Sequence, residues 1–412
     1  VSVKLEVYNN KWYFLSFPFD LRVSDIRTSN NALFAIRKYD GAARAQNGTG
    51  GSWKTMTTDS ILKAGIGYIV NANANTTLIF PATSETRNQL FNHEEKSLPL
   101  EAYTTTVTAN KNWNFIGNAY PSYFDSRYLD FTAPITVWNL SNNTYTAISL
   151  TDDKYALKPF EGFFVQKPED LSQMTYLKGG RQLSSVLSAT GPAGAPHRVA
   201  PSTHRTLINL SVTHNQISDF TRIVFNPAAA TSYDMECDAS KFFSSETLVP
   251  QLFTTDADGN RYAINERPEL QGWVKMGIKA GTEGNYTIRK EENTSPTLLQ
   301  LLLEDTYTSV TTDLLNGNYT FHSDAGSFDD RFVVRITTVV TSTEQAGDIE
   351  IVKASKGKII LYAVAGTTFE IYTLNGMQVQ SLTVGSNATE ITVPAGIYIV
   401  RGEAKTYKTV VF

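Results

Sequence analysis

The chain has 412 residues, room for about two to four domains, and 36 Lys+Arg against 40 Asp+Glu leave a net charge of −4. With no basic excess to neutralise a phosphate backbone, nucleic-acid binding as the main task is excluded. The single cysteine, Cys237, excludes an intrachain disulfide and a multi-cysteine zinc site.

The first residues alternate as a strand does (Val3, Leu5, Val7), and no basic segment followed by an apolar one precedes them. Such a start fits a mature chain or a piece of a longer one. No apolar run approaches the roughly 18 residues that span a bilayer. Period-two alternation recurs throughout, as in Thr206, Ile208, Leu210 and Val212. Turn pairs at Asp40-Gly41, Asn47-Gly48, Asp258-Gly259, Asn316-Gly317 and Asn375-Gly376 predict hairpin tips. Short helical turns are expected at 125–129 and 238–243. The expected fold is all-β, with several sandwich or jelly-roll-like domains in tandem.

The first half repeats itself. Trp12-Tyr13-Phe14-Leu15-Ser16 resembles Trp113-Asn114-Phe115-Ile116-Gly117, and Ala35-Ile36-Arg37-Lys38-Tyr39-Asp40 resembles Pro134-Ile135-Thr136-Val137-Trp138-Asn139. LKAGIGYIV at 62–70 resembles LKPFEGFFV at 157–165. Three matches in the same order predict two modules of about 95–100 residues. Trp12 and Trp113 are expected as equivalent buried anchors, and the shared glycines as points where a strand bends or meets another backbone. The predicted organisation is modules at 1–95 and 96–185, a Gly/Pro/Ser-rich linker at 186–205, a sandwich at 206–340 and a small sandwich at 348–412. A second boundary falls at 337–348.

The terminal stretch resembles the C-terminal sorting domain of Bacteroidetes surface and secreted proteins. The resemblance rests on Ile371-Tyr372-Thr373-Leu374-Asn375-Gly376, Pro394-Ala395-Gly396-Ile397-Tyr398-Ile399-Val400 and Lys408-Thr409-Val410-Val411, with Asn375, Gly376, Gly396, Tyr398 and Lys408 as its motif positions. Where that family opens the domain with Pro-Asn-Pro, this chain has Glu350-Ile351-Val352-Lys353. The resemblance implies a cell-surface or extracellular address and handling by type IX secretion machinery; a purely structural terminal sandwich is the alternative. Segments at 234–243, 261–268, 301–321 and 329–336 resemble a sandwich that precedes such tails in large surface proteins, and the repeats resemble modules of the same proteins.

Catalytic motifs are absent: there is no G-x-S-x-G, H-E-x-x-H or glycine-rich phosphate loop. Asp256, Asp258 and Asn260 alternate as calcium ligands would, but the glycine and glutamate stand at the wrong positions for an EF-hand, and a hairpin turn is expected. Asp152-Asp153 and Asp329-Asp330 are adjacent pairs, which on strands point to opposite faces. Cys237, between Glu236 and Asp238, is expected to be a buried thiol with a raised pKa. His197 and His204 flank the linker and are read as solvated. Carbohydrate stacking would use Trp53, Trp138 or Tyr123, with Tyr120 and Tyr145 as further candidates. Trp53, beyond the glycine-rich tip at 48–51, is the aromatic most expected at the surface. The sequence thus predicts a non-enzymatic surface adhesion or scaffold protein without cofactor, whose partner is a protein or glycan at the cell surface. The alternatives are a carbohydrate-binding accessory region and a β-rich hydrolase.

Overall fold

The computed structural model describes residues 2–48, 52–92, 94–187, 205–268, 273–295, 298–338, 350–355, 357–363, 366–384, 389–402 and 406–411. Residues 188–204 of the linker expected at 186–205, with both its histidines, and most of the 337–348 boundary lie outside these residues. The chain divides into two compact units, Val1–Thr338 and Val339–Phe412. The described residues are nearly all strand, and none of their helices is long and apolar enough to cross a membrane.

The repeat is explicit in the topology. Its first copy runs β1 (Ser2–Val7), β2 (Tyr13–Ser16), β3 (Leu21–Arg22), β4 (Arg27–Thr28), β5 (Phe34–Asp40), β6 (Ser52–Thr55), β7 (Ile61–Leu62), β8 (Gly67–Ala72) and β9 (Thr76–Pro81). The second runs β10 (Lys96–Pro99), β11 (Trp113–Gly117), β12 (Tyr123–Asp125), β13 (Leu129–Asp130), β14 (Ile135–Asn139), β15 (Thr144–Ile148), β16 (Ala156–Leu157), β17 (Gly162–Gln166) and β18 (Gln173–Tyr176), closing with β19 (Arg181–Gln182). The main sheets have orders β2-β8-β5-β6 and β11-β17-β14-β15, and the second sheets β1-β9-β4 and β10-β18-β13. Each strand of the first copy has its counterpart in the second, and each copy encloses its own core.

The copies meet through a pseudo-twofold contact. Leu15 bridges Glu161 and Ile66 bridges Ile116; the Ser16 amide donates to the Phe160 carbonyl at 2.8 Å, and the Gly117 amide to the Gly65 carbonyl at 3.0 Å. Such proximity requires small residues. A Cβ on Gly117 would stand 2.4 Å from both the Glu161 carbonyl oxygen and the Ser16 Cβ. Strands β11 and β17 are buried on both faces, and the polar Asn114 and Gln166 within them are buried too. Ile116, Phe163 and Val165 face their own core, while Phe115 and Phe164 face the first copy together with Phe14, Tyr39 and Ile69.

Three local expectations are corrected. Asp40-Gly41 and Asn47-Gly48 are not hairpin tips but the two ends of one helix, α1 (Gly41–Asn47), with the Asp40 carboxylate accepting the Ala43 amide at 3.2 Å. Asn316-Gly317 turns the chain between strands that pair with other partners, so it closes no hairpin. The turn expected at 125–129 is present as a 3-10 helix capped by Asp125, whereas 238–243 holds only a two-residue strand, Ala239–Ser240, drawn out by pairing with its neighbour.

The large sandwich comprises β20 (Thr206–His214), β21 (Ile217–Phe225), β22 (Ala239–Ser240), β23 (Gln251–Thr255), β24 (Arg261–Arg267), β25 (Trp273–Ala280), β26 (Gly284–Lys290), β27 (Leu298–Asp305), β28 (Val310–Asp313), β29 (Tyr319–Ser323) and β30 (Gly326–Thr338). One path, β28-β27-β30-β25-β23-β24-β21-β20-β26-β29, curls around a single core, so that Tyr319 near one end donates to Asp305 of β27 at 2.8 Å.

The terminal unit pairs two sheets, β31 (Glu350–Ser355), β32 (Lys358–Ala363) and β35 (Thr389–Thr392) in one, and β34 (Gln378–Thr383), β33 (Thr368–Thr373), β36 (Gly396–Arg401) and β37 (Thr406–Val411) in the other. Ile359, Leu361, Ile371 and Val393 fill its core as the alternation predicts. In β36 Tyr398 and Val400 point inward and Ile397 outward, and the Tyr398 hydroxyl reaches back to the Pro394 carbonyl at 2.9 Å.

Candidate functional site

Three of the aromatics singled out in the sequence, Trp53, Trp138 and Tyr145, are gathered into the contact between the repeats. Trp138 lies stacked on Phe14 at 5.4 Å with Tyr145 edge-on at 4.7 Å, and Trp53 meets Phe14, Tyr39, Phe115 and Phe164 edge-on. Trp53 and Trp138 are half-buried, with other rings on several sides, so they form no open platform. Tyr120 is buried against Phe124, and Tyr123 is half-buried on β12. Trp113 is buried as expected, but its counterpart Trp12 is not. It precedes β2, half-exposed under the Arg37 guanidinium, because only Trp113 is covered from a third side, by Phe242 of the sandwich region.

Buried charges join the second repeat to the large sandwich. Arg205 holds Asp152 at 2.5 Å and Glu266 at 2.6 Å, and Arg222 holds Asp153 at 2.8 Å. Asp152 and Asp153 occupy a turn rather than a strand, so both reach Arg222, against the expectation of opposed faces. A groove of about 740 Å³ opens beside them, lined among others by Ile148, Asp153, Phe220, Arg222 and Glu291. Its polar groups are already engaged: Arg222 donates to Asn209 at 2.6 Å, and Glu291 accepts from Ser211. Asp329 pairs with Arg261 and Asp330 with Lys275, while Arg331 turns to Asp305 on the other face.

Burial, reinforced by the carboxylates of Glu266, Asp234 and Asp238, pushes the Cys237 thiol up to about 12, so it stays protonated and unreactive at neutral pH. The residue is half-buried rather than fully buried. The Asp256 carboxylate closes its own hairpin, accepting the Asn260 amide at 2.9 Å, the Asn260 side chain at 2.7 Å and the Tyr262 hydroxyl at 2.5 Å. Asp258 and Gly259 form the tip, with Gly259 at φ +80°.

Beside that hairpin lies a concavity of about 360 Å³, lined among others by Phe225, Thr255, Asp258, Arg267, Trp273 and Lys275. Strand register builds it. Val274 and Met276 of β25 face the core, so Trp273 and Lys275 share the outer face, and Thr255 of β23 lies directly opposite Lys275. Trp273 is 36% exposed. The Thr255 hydroxyl is buried and without a hydrogen-bond partner. Sequence reasoning passed over Trp273. The available signal was its phase, with a tryptophan on the polar side of an alternating strand. In the terminal unit, Asn375 and Gly376 (φ +86°) form the β33–β34 tip, Gly396 opens β36, Tyr398 is buried and Lys408 is exposed on β37.

Residues 136–336 match the model of a family described as a domain of unknown function (DUF8693), which takes in part of the second repeat and most of the large sandwich. No curated protein matches. Among solved structures, the chain is similar at 11% identity to one titled "Biofilm associated protein - BSP domain", with a TM-score of 0.15, a superposition too slight to imply a shared fold. The match covers 100% of this chain and 66% of that one.

Proposed function

We propose that this chain is a non-catalytic adhesion and scaffold portion of an exported surface protein. The supporting observation is what five buried or half-buried acids do. Asp125 is locked to Arg127, Asp152 and Asp153 to Arg205 and Arg222, Asp219 to Lys241 and Asp305 to Arg331. Hydrolysis by paired carboxylates needs two of them facing one open cleft, about 5–10 Å apart; these are spent on cohesion. A body cemented at the repeat contact and again at the arginine-bridged seam suits the carrying of load and the presentation of surface.

The terminal unit, by its resemblance, directs export by the type IX route. Offering the purified full chain to immobilised glycans and extracellular proteins tests the adhesion reading. Saturable binding with the ligand's mass unchanged is expected, and release of a product abolished by a single carboxylate substitution would overturn it. Fractionating cells that make the full chain or a chain ending at residue 340 tests the sorting role, which fails if both reach the surface equally. The Trp273 concavity favours a second reading, a carbohydrate-binding accessory region.

A further inference from the structure

We propose that the Trp273 concavity is a saccharide site that seats one or two pyranose units against the indole; this deepens the reading of the chain as a non-catalytic binding protein. The volume of about 360 Å³ lies at the small end of the ~300–1,000 Å³ typical of small-molecule sites.

The lining dictates the ligand's chemistry. An outward-facing tryptophan offers a flat apolar surface of large area. Around it stand groups with unspent hydrogen-bonding capacity. The Thr255 hydroxyl lacks a partner although the residue is 95% buried (5% exposed), and native proteins leave few such groups unsatisfied. Among the described residues, the Asp258 carboxylate and the Arg267 guanidinium have no ion-pair partner, while Lys275 makes only a 3.5 Å contact with exposed Asp330.

A purely apolar ligand would desolvate these groups without repayment. A phosphate would meet the Asp256 and Asp258 carboxylates, and a quaternary ammonium would meet Arg267 and Lys275. A neutral polyol with one apolar face satisfies all of them. Its C–H face lies on the ring, and its hydroxyls donate to Asp258 and accept from Arg267 and Lys275. Thr255 can do either. Asp256 is left out, because its oxygens already close the hairpin.

The test is titration of the full chain with glucose, galactose, mannose, N-acetylglucosamine, maltose and cellobiose, read by saturation-transfer NMR and calorimetry. At least one sugar is expected to bind saturably in the millimolar range. Trp273→Ala should weaken it about tenfold or more, Thr255→Val severalfold, and Trp273→Tyr should restore most of the loss. If Trp273→Ala fails to fold, Asp258→Asn at the exposed tip serves in its place and should weaken binding severalfold. Binding by none of the sugars, or binding indifferent to all these substitutions, would overturn the inference. Adhesion of the same preparation to a protein ligand would then leave the broader reading standing, whereas loss of all binding would remove both.

Discussion

Replacing Gly117 by alanine probes the contact on which the two repeats depend. The new Cβ would stand 2.4 Å from the Glu161 carbonyl oxygen, 2.4 Å from the Ser16 Cβ and 3.0 Å from the Gly162 Cα, all of them backbone or nearest-backbone atoms that no side-chain rotation can move. The strands must separate. That motion stretches the Gly117-to-Gly65 and Ser16-to-Phe160 hydrogen bonds and the neighbouring Asn118-to-Glu161 bond of 2.9 Å. Overpacking of this kind costs about 1–3 kcal/mol, and the involvement of backbone on both sides places the cost near 3. Scanning calorimetry should show the main transition lowered by several degrees. Hydrogen exchange should show the Ser16 and Gly117 amides losing protection. Adding Ser16→Gly removes one of the two closest contacts and should recover part of the loss. Gly317→Ala is the control: nothing lies within 4 Å of its Cβ position, so stability should be unchanged. If Gly117→Ala melts like the Gly317 variant, the close approach of the repeats is refuted.

Asp152→Ala should cost about 3 kcal/mol by urea titration, the low end for a broken buried pair because Arg205 keeps Glu266; an unchanged midpoint would deny the seam any structural weight. Burial tends to raise the pKa of Asp305, but the Arg331 guanidinium, the Tyr319 hydroxyl and the Tyr307 amide outweigh it and hold the group below its ordinary value. A folded-state pKa below the unfolded one stabilises above the ordinary carboxylate range and is lost as pH falls through the depressed value. The acid limb of the stability curve should therefore flatten in Asp305→Asn, and an identical acid limb would count against the pairing. Removing residues 339–412 should leave 1–338 with its melting transition, since each unit encloses its own core; an aggregated truncation product would contradict this.

The all-β class and the repeat were legible because alternation and matched segments survive in single residues. Phe14 and Phe115 are equivalent, as are Ile69 and Phe164, and of the shared glycines Gly162 lies close to the Leu15 backbone while Gly67 lies against the Phe115 ring. Three things escaped. Asp40-Gly41 reads as a turn to local chemistry, and only the tertiary contact of α1 with β11 selects a helix: a Cβ on Gly41 would lie 2.4 Å from the Trp113 carbonyl. Ile397 and Tyr398 are both strand formers, and that propensity alone does not choose which turns inward. Trp53 and Trp273 look alike in composition. One is enclosed by rings from a distant segment, and the other is left outside by the phase of its strand.

One indole ties three parts of the chain together. The ring of Trp113 belongs to the second repeat, carries the Arg44 guanidinium of the first repeat's helix on its face at 4.6 Å, and meets Phe242 of the sandwich region edge-on at 4.9 Å. Its Nε1 donates to the Ala109 carbonyl at 2.9 Å, the same oxygen that accepts the Ser240 hydroxyl at 3.0 Å. Peeling away either neighbour would wet this ring and release a buried arginine. Residues 1–338 are therefore no string of beads that could yield one by one under tension. They should resist as a single block and fail all at once.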